Sequence, residues 1–486
     1  MKRPVIIIDF DGHCSDLARS IRKLRIWSEV LPPDASLEEI VARNPLALIL
    51  AGDGATLSPE LLSRGWPLLA LGQGVKLLAR LTGGNPTGQE SIHSTELNST
   101  VPLFADFPAA IELRGKVQAP PGFEVIAGTA TEAIAVADKN RKLYGLEFHP
   151  DPQQTDILLA NFLQGICGLQ SNWSVEEYID QAVEAIRAQV GTEKVICGLS
   201  GGVDSAVAAA LVHKAVGDQL TCFFVDHGLL RQDEAAEVMK AFAGKGIKVL
   251  QIDACQRFLR GLKGIIDPEA KRKIIGQQFI REFEDAAKQL WDAKFLVQGT
   301  VYPDVIESGS GDAVAVKSHH NVGGLPEDMK FQLCEPVREL FKDEVREVGL
   351  QLGLSEKIVW RQPFPGPGLA IRVLGEVTEE RLNIVRHADA IVREEIAAAG
   401  LDREVWQYYA ALPNVRSVGV KGGRRTYMEL VAVRAVTSID AMTAEWARLP
   451  WEVLERISQR ILSEVDQVNR VVYDITSKPP GTIEWE

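Results

Sequence analysis

The sequence predicts an α/β protein, two parallel-sheet α/β domains followed by a smaller α+β domain, and three observations carry that reading. Short apolar runs alternate with amphipathic stretches, the pattern of strands joined by crossover helices. A glycine turn, Ser200-Gly201-Gly202-Val203-Asp204-Ser205-Ala206, lies between an apolar run and a helical stretch. The Pro/Gly-rich Pro363-Phe364-Pro365-Gly366-Pro367-Gly368 then punctuates the chain and opens a more mixed region. At 486 residues the chain is too long for one core, and about 150 residues per domain suggests three. The boundaries predicted are 1–168, 169–361 and 362–486.

In the first region Val5 to Asp9 reads as a buried strand, followed by helical Ser15 to Trp27, strands at Leu46 to Leu50 and Leu68 to Leu71, and helical Val75 to Leu81. The second region begins with helical Val175 to Val190, for which Ser174 is the N-cap candidate. The run Val195 to Leu199 leads into the glycine turn and the helical stretch Val207 to Val216. Leu220 to Val225, ending at Asp226-His227-Gly228, then Val249 to Asp253 and Phe295 to Thr300 follow at βαβ spacing. Polar residues at strand C-termini line the ligand crevice of an open sheet.

Strand, glycine turn and helix start together make a phosphate cradle. Gly201 and Gly202 admit an anion close to the backbone, the helix N-terminus offers free N–H groups, and Ser200 and Ser205 add hydroxyls. The expected ligand is ATP. No Gly-Lys-Ser/Thr follows, so this is not a Walker loop, and Asp204 stands where such a loop would carry lysine. An acid among phosphates implies a bridging cation, so Asp204 is also the expected magnesium ligand.

Bulk properties exclude other classes. The chain is 46% apolar and 24% charged, an ordinary globular composition, and its net charge of −13 argues against a nucleic-acid-coating surface. Cys14, Cys167, Cys197, Cys222, Cys255 and Cys334 are scattered without metal spacing, which predicts reduced thiols and a cytoplasmic location. The apolar part of the N-terminus is too short for a signal peptide, and no apolar segment approaches membrane-spanning length.

Further strings carry a resemblance over the whole chain. They are Phe224 to Arg231, Lys271-Arg272-Lys273-Ile274-Ile275-Gly276, Gly299 to Ser308, Lys317 to Pro326, Leu340 to Val345, Asn469 to Ile475 and Lys478 to Glu486. With the cradle, they resemble the glutamine-hydrolysing GMP synthetase family, which implies an amidotransferase-like domain, an ATP pyrophosphatase domain and a dimerisation domain, hence a homodimer. The resemblance implies that ATP adenylates O2 of xanthosine monophosphate (XMP), releasing pyrophosphate, and that ammonia then displaces AMP to give GMP. Asp204 and Lys342 are the expected catalytic residues, with Mg2+ and ATP required. Arg470, Lys478 and Glu484 resemble the family's XMP-binding elements. Glu307 to Pro326 reads as a lid excluding water from the activated nucleotide, and a metal role for His319 and His320 is disfavoured.

The amidotransferase part departs from the family. The nucleophile elbow should follow Leu68 to Gly72, yet the chain continues Gln73-Gly74-Val75. The spacing to Gly83-Gly84 reads as two residues short, so the cysteine is expected to be deleted. His149 is kept as a vestigial base, and Asp151 replaces the family's Glu. Ala51-Gly52-Asp53-Gly54 alters the oxyanion loop, and the glutamine-contacting string is missing near Glu112 to Gly115. Cys14, at another strand-to-helix turn, is a poor substitute nucleophile. Free ammonia is therefore the expected nitrogen source, with a separate glutaminase partner, another purine nucleotide or a nucleotide-binding pseudoenzyme as alternatives. Gln362, Lys421, Gly423 and Arg424 also differ from the family and bear on which purine is used.

Overall fold

The structure, a computed structural model, describes all residues except 1, 11, 13, 53–56, 85–92, 98–100, 109, 114–118, 129–132, 290–292, 310–330 and 439–442. The chain forms two compact units.

The first unit comprises Met1–Tyr178 and takes in the helix Tyr302–Gly309. Its strands are β1 (Val5–Asp9), β2 (Ser28–Leu31), β3 (Ala47–Ala51), β4 (Leu68–Leu71), β5 (His93–Glu96), β6 (Ala110–Leu113), β7 (Glu124–Gly128), β8 (Ala133–Asp138) and β9 (Leu143–Leu146). Seven of them form one sheet in the order β2-β1-β3-β4-β9-β8-β7, while β5 and β6 pair separately. β1 to β4 and β9 run parallel, and β8 and β7 add an antiparallel edge. β1, β3, β4 and β9 are buried along their whole length, as expected of parallel strands covered on both faces. The helix expected to reach Trp27 stops at Lys23, because Arg25 takes a left-handed conformation at φ 56° and turns the chain toward β2.

The second unit comprises Ile179–Val301 and the chain from Ser318 onward. Its first sheet contains β10 (Lys194–Leu199), β11 (Leu220–Asp226), β12 (Val249–Asp253), β13 (Ala293–Val297) and β14 (Gln332–Cys334), all parallel, in the order β12-β11-β10-β13-β14. The ladder of β13 ends at Val297, so Gln298-Gly299-Thr300 leave the strand that the sequence extended to Thr300. From β10 the chain moves first to β11 and β12 on one side, then crosses to β13 on the other. The C-terminal end of β10 is therefore a topological switch point, where open α/β sheets bind ligands.

The same unit continues into a sheet of β15 (Gln407–Ala411), β16 (Arg416–Lys421), β17 (Arg424–Thr437), β18 (Glu445–Trp446) and β19 (Val468–Asp474). β17 is its hub, antiparallel to β15, β16 and β18 and parallel to β19. Helices Glu379–Ala398 and Trp451–Glu464 supply Val385, Ile391, Val392, Ile457 and Ile461 to its core. That core is continuous with Leu229, Phe258 and Ile275 beside the first sheet.

Candidate active site

The glycine turn sits at the switch point. β10 ends at Leu199, Gly201 adopts φ 78°, and the helix Val203–Val216 starts after Gly202. The helix therefore begins earlier than the sequence placed it and takes in Val203 to Ala206 as its first turn. Ser200 and Ser205 brace the turn: their hydroxyls lie 3.1 Å apart, the Gly202 N–H donates to Ser200 Oγ at 3.3 Å, and Ser205 Oγ donates to the Gly202 carbonyl at 3.1 Å. The result is a braced helix start with the geometry that suits an anion.

Asp204 and Lys342 are brought together across 138 residues of chain. Lys342 opens the helix Lys342–Gln351 and forms an ion pair with Asp204 Oδ2. Asp204 Oδ1 is buried and has no hydrogen-bond partner among the described residues. A buried open carboxylate oxygen fits a hard cation, and Mg2+ is ordinarily held by one or two carboxylates plus substrate phosphates. No cluster of three or more potential metal ligands exists among the described residues. Gly299 presses on the other side. A side chain there would place Cβ 2.9 Å from backbone atoms of Asp204 and Ser205, so only glycine lets the end of β13 pass the helix start.

His227, after β11, is buried and accepts the Leu229 N–H on Nδ1 at 3.1 Å. Phe258 and Phe279 pack on its ring. Burial, only partly offset by Glu234 and Asp226, pulls its pKa down to about 4, so the imidazole is neutral at pH 7. The unfolded chain binds this proton near the ordinary value, about pH 6.5, and the folded one does not until about pH 4. The stability tied to neutral His227 is thus complete above pH 6.5 and declines as pH falls toward 4, by about 3 kcal/mol over that span. Denaturant midpoints measured across this range should show the loss and His227→Gln should flatten it; an unchanged slope in the variant assigns the effect to other groups.

Of the residues expected to meet XMP, Arg470 is an exposed cation on β19, where Nε donates to Ser417 Oγ at 3.2 Å. Lys478 lies in the C-terminal segment, its backbone bridged to Ala444. Glu484 is gripped by Arg372, whose Nε and Nη2 reach its two carboxylate oxygens at 3.0 and 2.9 Å, and by Gln407. Arg372 is fully buried, paired also with Asp389, and stacked on Tyr409. The segment is pinned further by Arg434, which donates to the carbonyls of Thr476, Thr482 and Ile483, and by Lys271 and Arg272, which hold Glu486. Arg372 and Arg434, unlike Arg272, lie outside any string that the sequence singles out. Lys421, Gly423 and Arg424 lie at an exposed hairpin tip between β16 and β17, where Gly422 and Gly423 both take positive φ as a tight two-residue turn requires. Gln362 supports β15 instead, accepting the Tyr408 N–H at 2.9 Å.

In the first unit, β4 leads through Gly72, at φ 52°, into the helix Gly74–Leu81. The His149 imidazole lies directly against Gly72: a Cβ there would fall 2.0 Å from Nε2. Asp151 caps the helix Pro152–Ala160, accepting the Gln154 N–H at 2.8 Å while its own N–H donates to the Gln154 side chain. Cys14 is buried in its turn, with its N–H on Asp9. Asp53 and Gly54, Arg114 and Gly115, and the greater part of the expected lid, with His319 and His320, lie outside the described residues.

A phosphate loop at the switch point of a parallel sheet, continued by a docked α+β region, agrees with two family matches. Residues 174–273 match NAD synthase, and residues 394–485 match the GMP synthase C terminal domain. The protein is an ATP-dependent ligase of the pyrophosphatase-loop class. Its relatives narrow this. GMP synthase [glutamine-hydrolyzing] of Clostridium botulinum (strain Langeland / NCTC 10281 / Type F) is 50% identical over 510 aligned positions, covering 100% of each chain. The protein of that description from Clostridium perfringens (strain 13 / Type A) is 50% identical over 509 positions with the same coverage, and that from Caldicellulosiruptor saccharolyticus is 51% identical over 99% of each chain. The chain belongs to the GMP synthase [glutamine-hydrolyzing] family. Alignments longer than its 486 residues mean that these relatives carry about two dozen residues with no counterpart here.

Proposed function

We propose that this chain converts XMP, ATP and free ammonia into GMP, AMP and pyrophosphate. The observation that carries the synthetase half is the preformed cradle with Asp204 and Lys342 at its mouth. An oxygen attached to the purine ring is a poor leaving group, and its adenylation makes a good one. The helix start, Ser200, Ser205 and the cationic Lys342 hold the departing pyrophosphate, and Asp204 holds the cation. When bound, Mg2+ would neutralise phosphate charge at Asp204. Arg470, exposed beside β16, suits the nucleotide phosphate, with Lys478 as a second cation. Glu484, held in place by Arg372, suits a fixed acceptor for purine N–H groups. Mixing the protein with ATP, XMP, Mg2+ and ammonium salts should yield AMP, pyrophosphate and GMP, faster at higher pH because free ammonia is the minor species near neutrality. Absence of product at any pH rejects the proposal, and a panel of purine monophosphates checks the acceptor.

The ammonia half rests on Gly72. It occupies the left-handed corner between strand and helix, facing His149, which is where a nucleophile elbow presents its side chain. On this reading the strand-to-helix turn itself is kept, with glycine where a glutaminase carries its thiol. The expected domains, 1–168, 169–361 and 362–486, then correspond to a glutaminase remnant, the adenylating sheet and the region centred on β17. The free thiols suit a cytoplasmic enzyme.

A homodimer formed through the β17 sheet follows from an exposed apolar strip. Val418 and Val420 on β16 and Tyr427, directly opposite Val418 on β17, are 45%, 76% and 66% exposed. Tyr427→Glu should raise the dimer dissociation constant roughly a hundredfold, read by light scattering of eluted species. A variant that keeps the wild-type mass moves the interface elsewhere.

A further inference from the structure

We propose that Arg361 is a positioning residue that sets the phosphate loop for pyrophosphate, a role resting on the reading of that loop as the pyrophosphate site. Arg361 lies between β14 and β15, 160 residues from Gly201, yet its Nη1 donates to the Gly201 carbonyl at 2.9 Å. The guanidinium is held from behind by two acids on one helix, Glu234 at 3.3 Å and Glu237 at 3.2 Å. Glu234 is buried, and its second oxygen accepts the Arg231 N–H at 2.9 Å. Arg231 in turn donates to the Pro363 carbonyl at 3.0 Å and pairs with Asp389. Arg361 is therefore fixed on both sides, with its side chain only 11% exposed.

The peptide plane explains the consequence. In a trans peptide, the Gly201 carbonyl and the Gly202 N–H point in opposite directions. Drawing the carbonyl onto Arg361 aims the Gly202 N–H the other way, toward Ser200 Oγ, on the side where the hydroxyls gather. The same bond removes a bare carbonyl dipole from the neighbourhood of a polyanion. Gly201 is confined to glycine by its φ of 78° and by Arg361 itself, whose Nη1 would lie 3.2 Å from a Cβ.

The test is calorimetric titration of the full chain with inorganic pyrophosphate and Mg2+, beside XMP titration and thermal melting. Arg361→Gln is expected to weaken pyrophosphate binding roughly ten- to hundredfold, the worth of one charge-assisted hydrogen bond, and to raise the KM for ATP more than it lowers kcat. XMP affinity and melting temperature should hold. Arg361→Lys should fall between the two, because one ammonium cannot span a carbonyl and two carboxylates. Wild-type pyrophosphate affinity in either variant overturns the assignment, as does joint loss of pyrophosphate binding, XMP binding and thermal stability. A wild-type protein that fails to bind pyrophosphate overturns the cradle reading instead and takes this one with it.

Discussion

Asp204→Asn is expected to slow formation of AMP and pyrophosphate about a thousandfold, the scale of losing a principal charge-stabilising group, while the protein stays folded. The substitution keeps the size of the side chain and removes its charge. In the native site one oxygen faces Lys342 and the other is buried without a partner among the described residues. An uncharged amide satisfies neither a hard cation nor the lysine. Initial rates with saturating XMP and ammonium give the first reading, and melting temperature checks the fold. Full activity in the variant removes Asp204 from the chemistry. The experiment also separates an enzyme from a nucleotide sensor: a sensor shows no turnover in the wild-type protein and keeps its ATP affinity in the variant.

Glutamine as sole nitrogen donor is expected to support turnover at least about a thousandfold below that with ammonium, since loss of a catalytic nucleophile ordinarily costs that much or more. A glutaminase needs a thiol at the corner of its strand-to-helix turn, activated by a neighbouring histidine. Here the corner is Gly72, and the His149 ring fills the volume where that side chain would begin. Cys14 and Cys167 are the only thiols in the first 178 residues; Cys14 is buried, and burial pushes the Cys167 thiol up to about 12, far from a reactive thiolate. Intact-mass analysis after exposure to a glutamine-like alkylating agent should show no adduct. A glutamyl adduct, or equal rates with the two donors, would overturn the ammonia reading. A rate restored by adding a purified glutaminase points to nitrogen delivered in trans.

What was legible in the sequence was local. Val5 to Asp9, Leu68 to Leu71, Val175 to Val190 and Val249 to Asp253 appear where the apolar patterns placed them, because burial on one or both faces writes itself directly into those runs. Ser174 caps its helix through the Glu177 N–H, as its residue type suggested. The cradle was legible for the same reason, since strand, glycines and helix start are contiguous. Features that depend on conformation or distance were not. Nothing in the letters around Gly72 announces a left-handed corner facing His149. Asp151-Pro152-Gln153-Gln154 did contain a helix-capping signal. The antiparallel edge of β7 and β8 follows from pairing partners that short alternating runs do not specify. Arg361, Arg372 and Arg434 owe their roles to chain segments brought together only by folding, and a solitary arginine is otherwise indistinguishable from a solvated one.

The unbroken core of the second unit has a further meaning for the Pro363 to Gly368 crossing. Leu229, Phe258 and Ile275 share one oily interior with Val385, Ile391 and Ile457, so the chain on either side of the proline-rich crossing buries apolar surface against the other. A nick at that bend would leave both fragments clasped, and a fragment liberated from its neighbour would present a greasy wound to water.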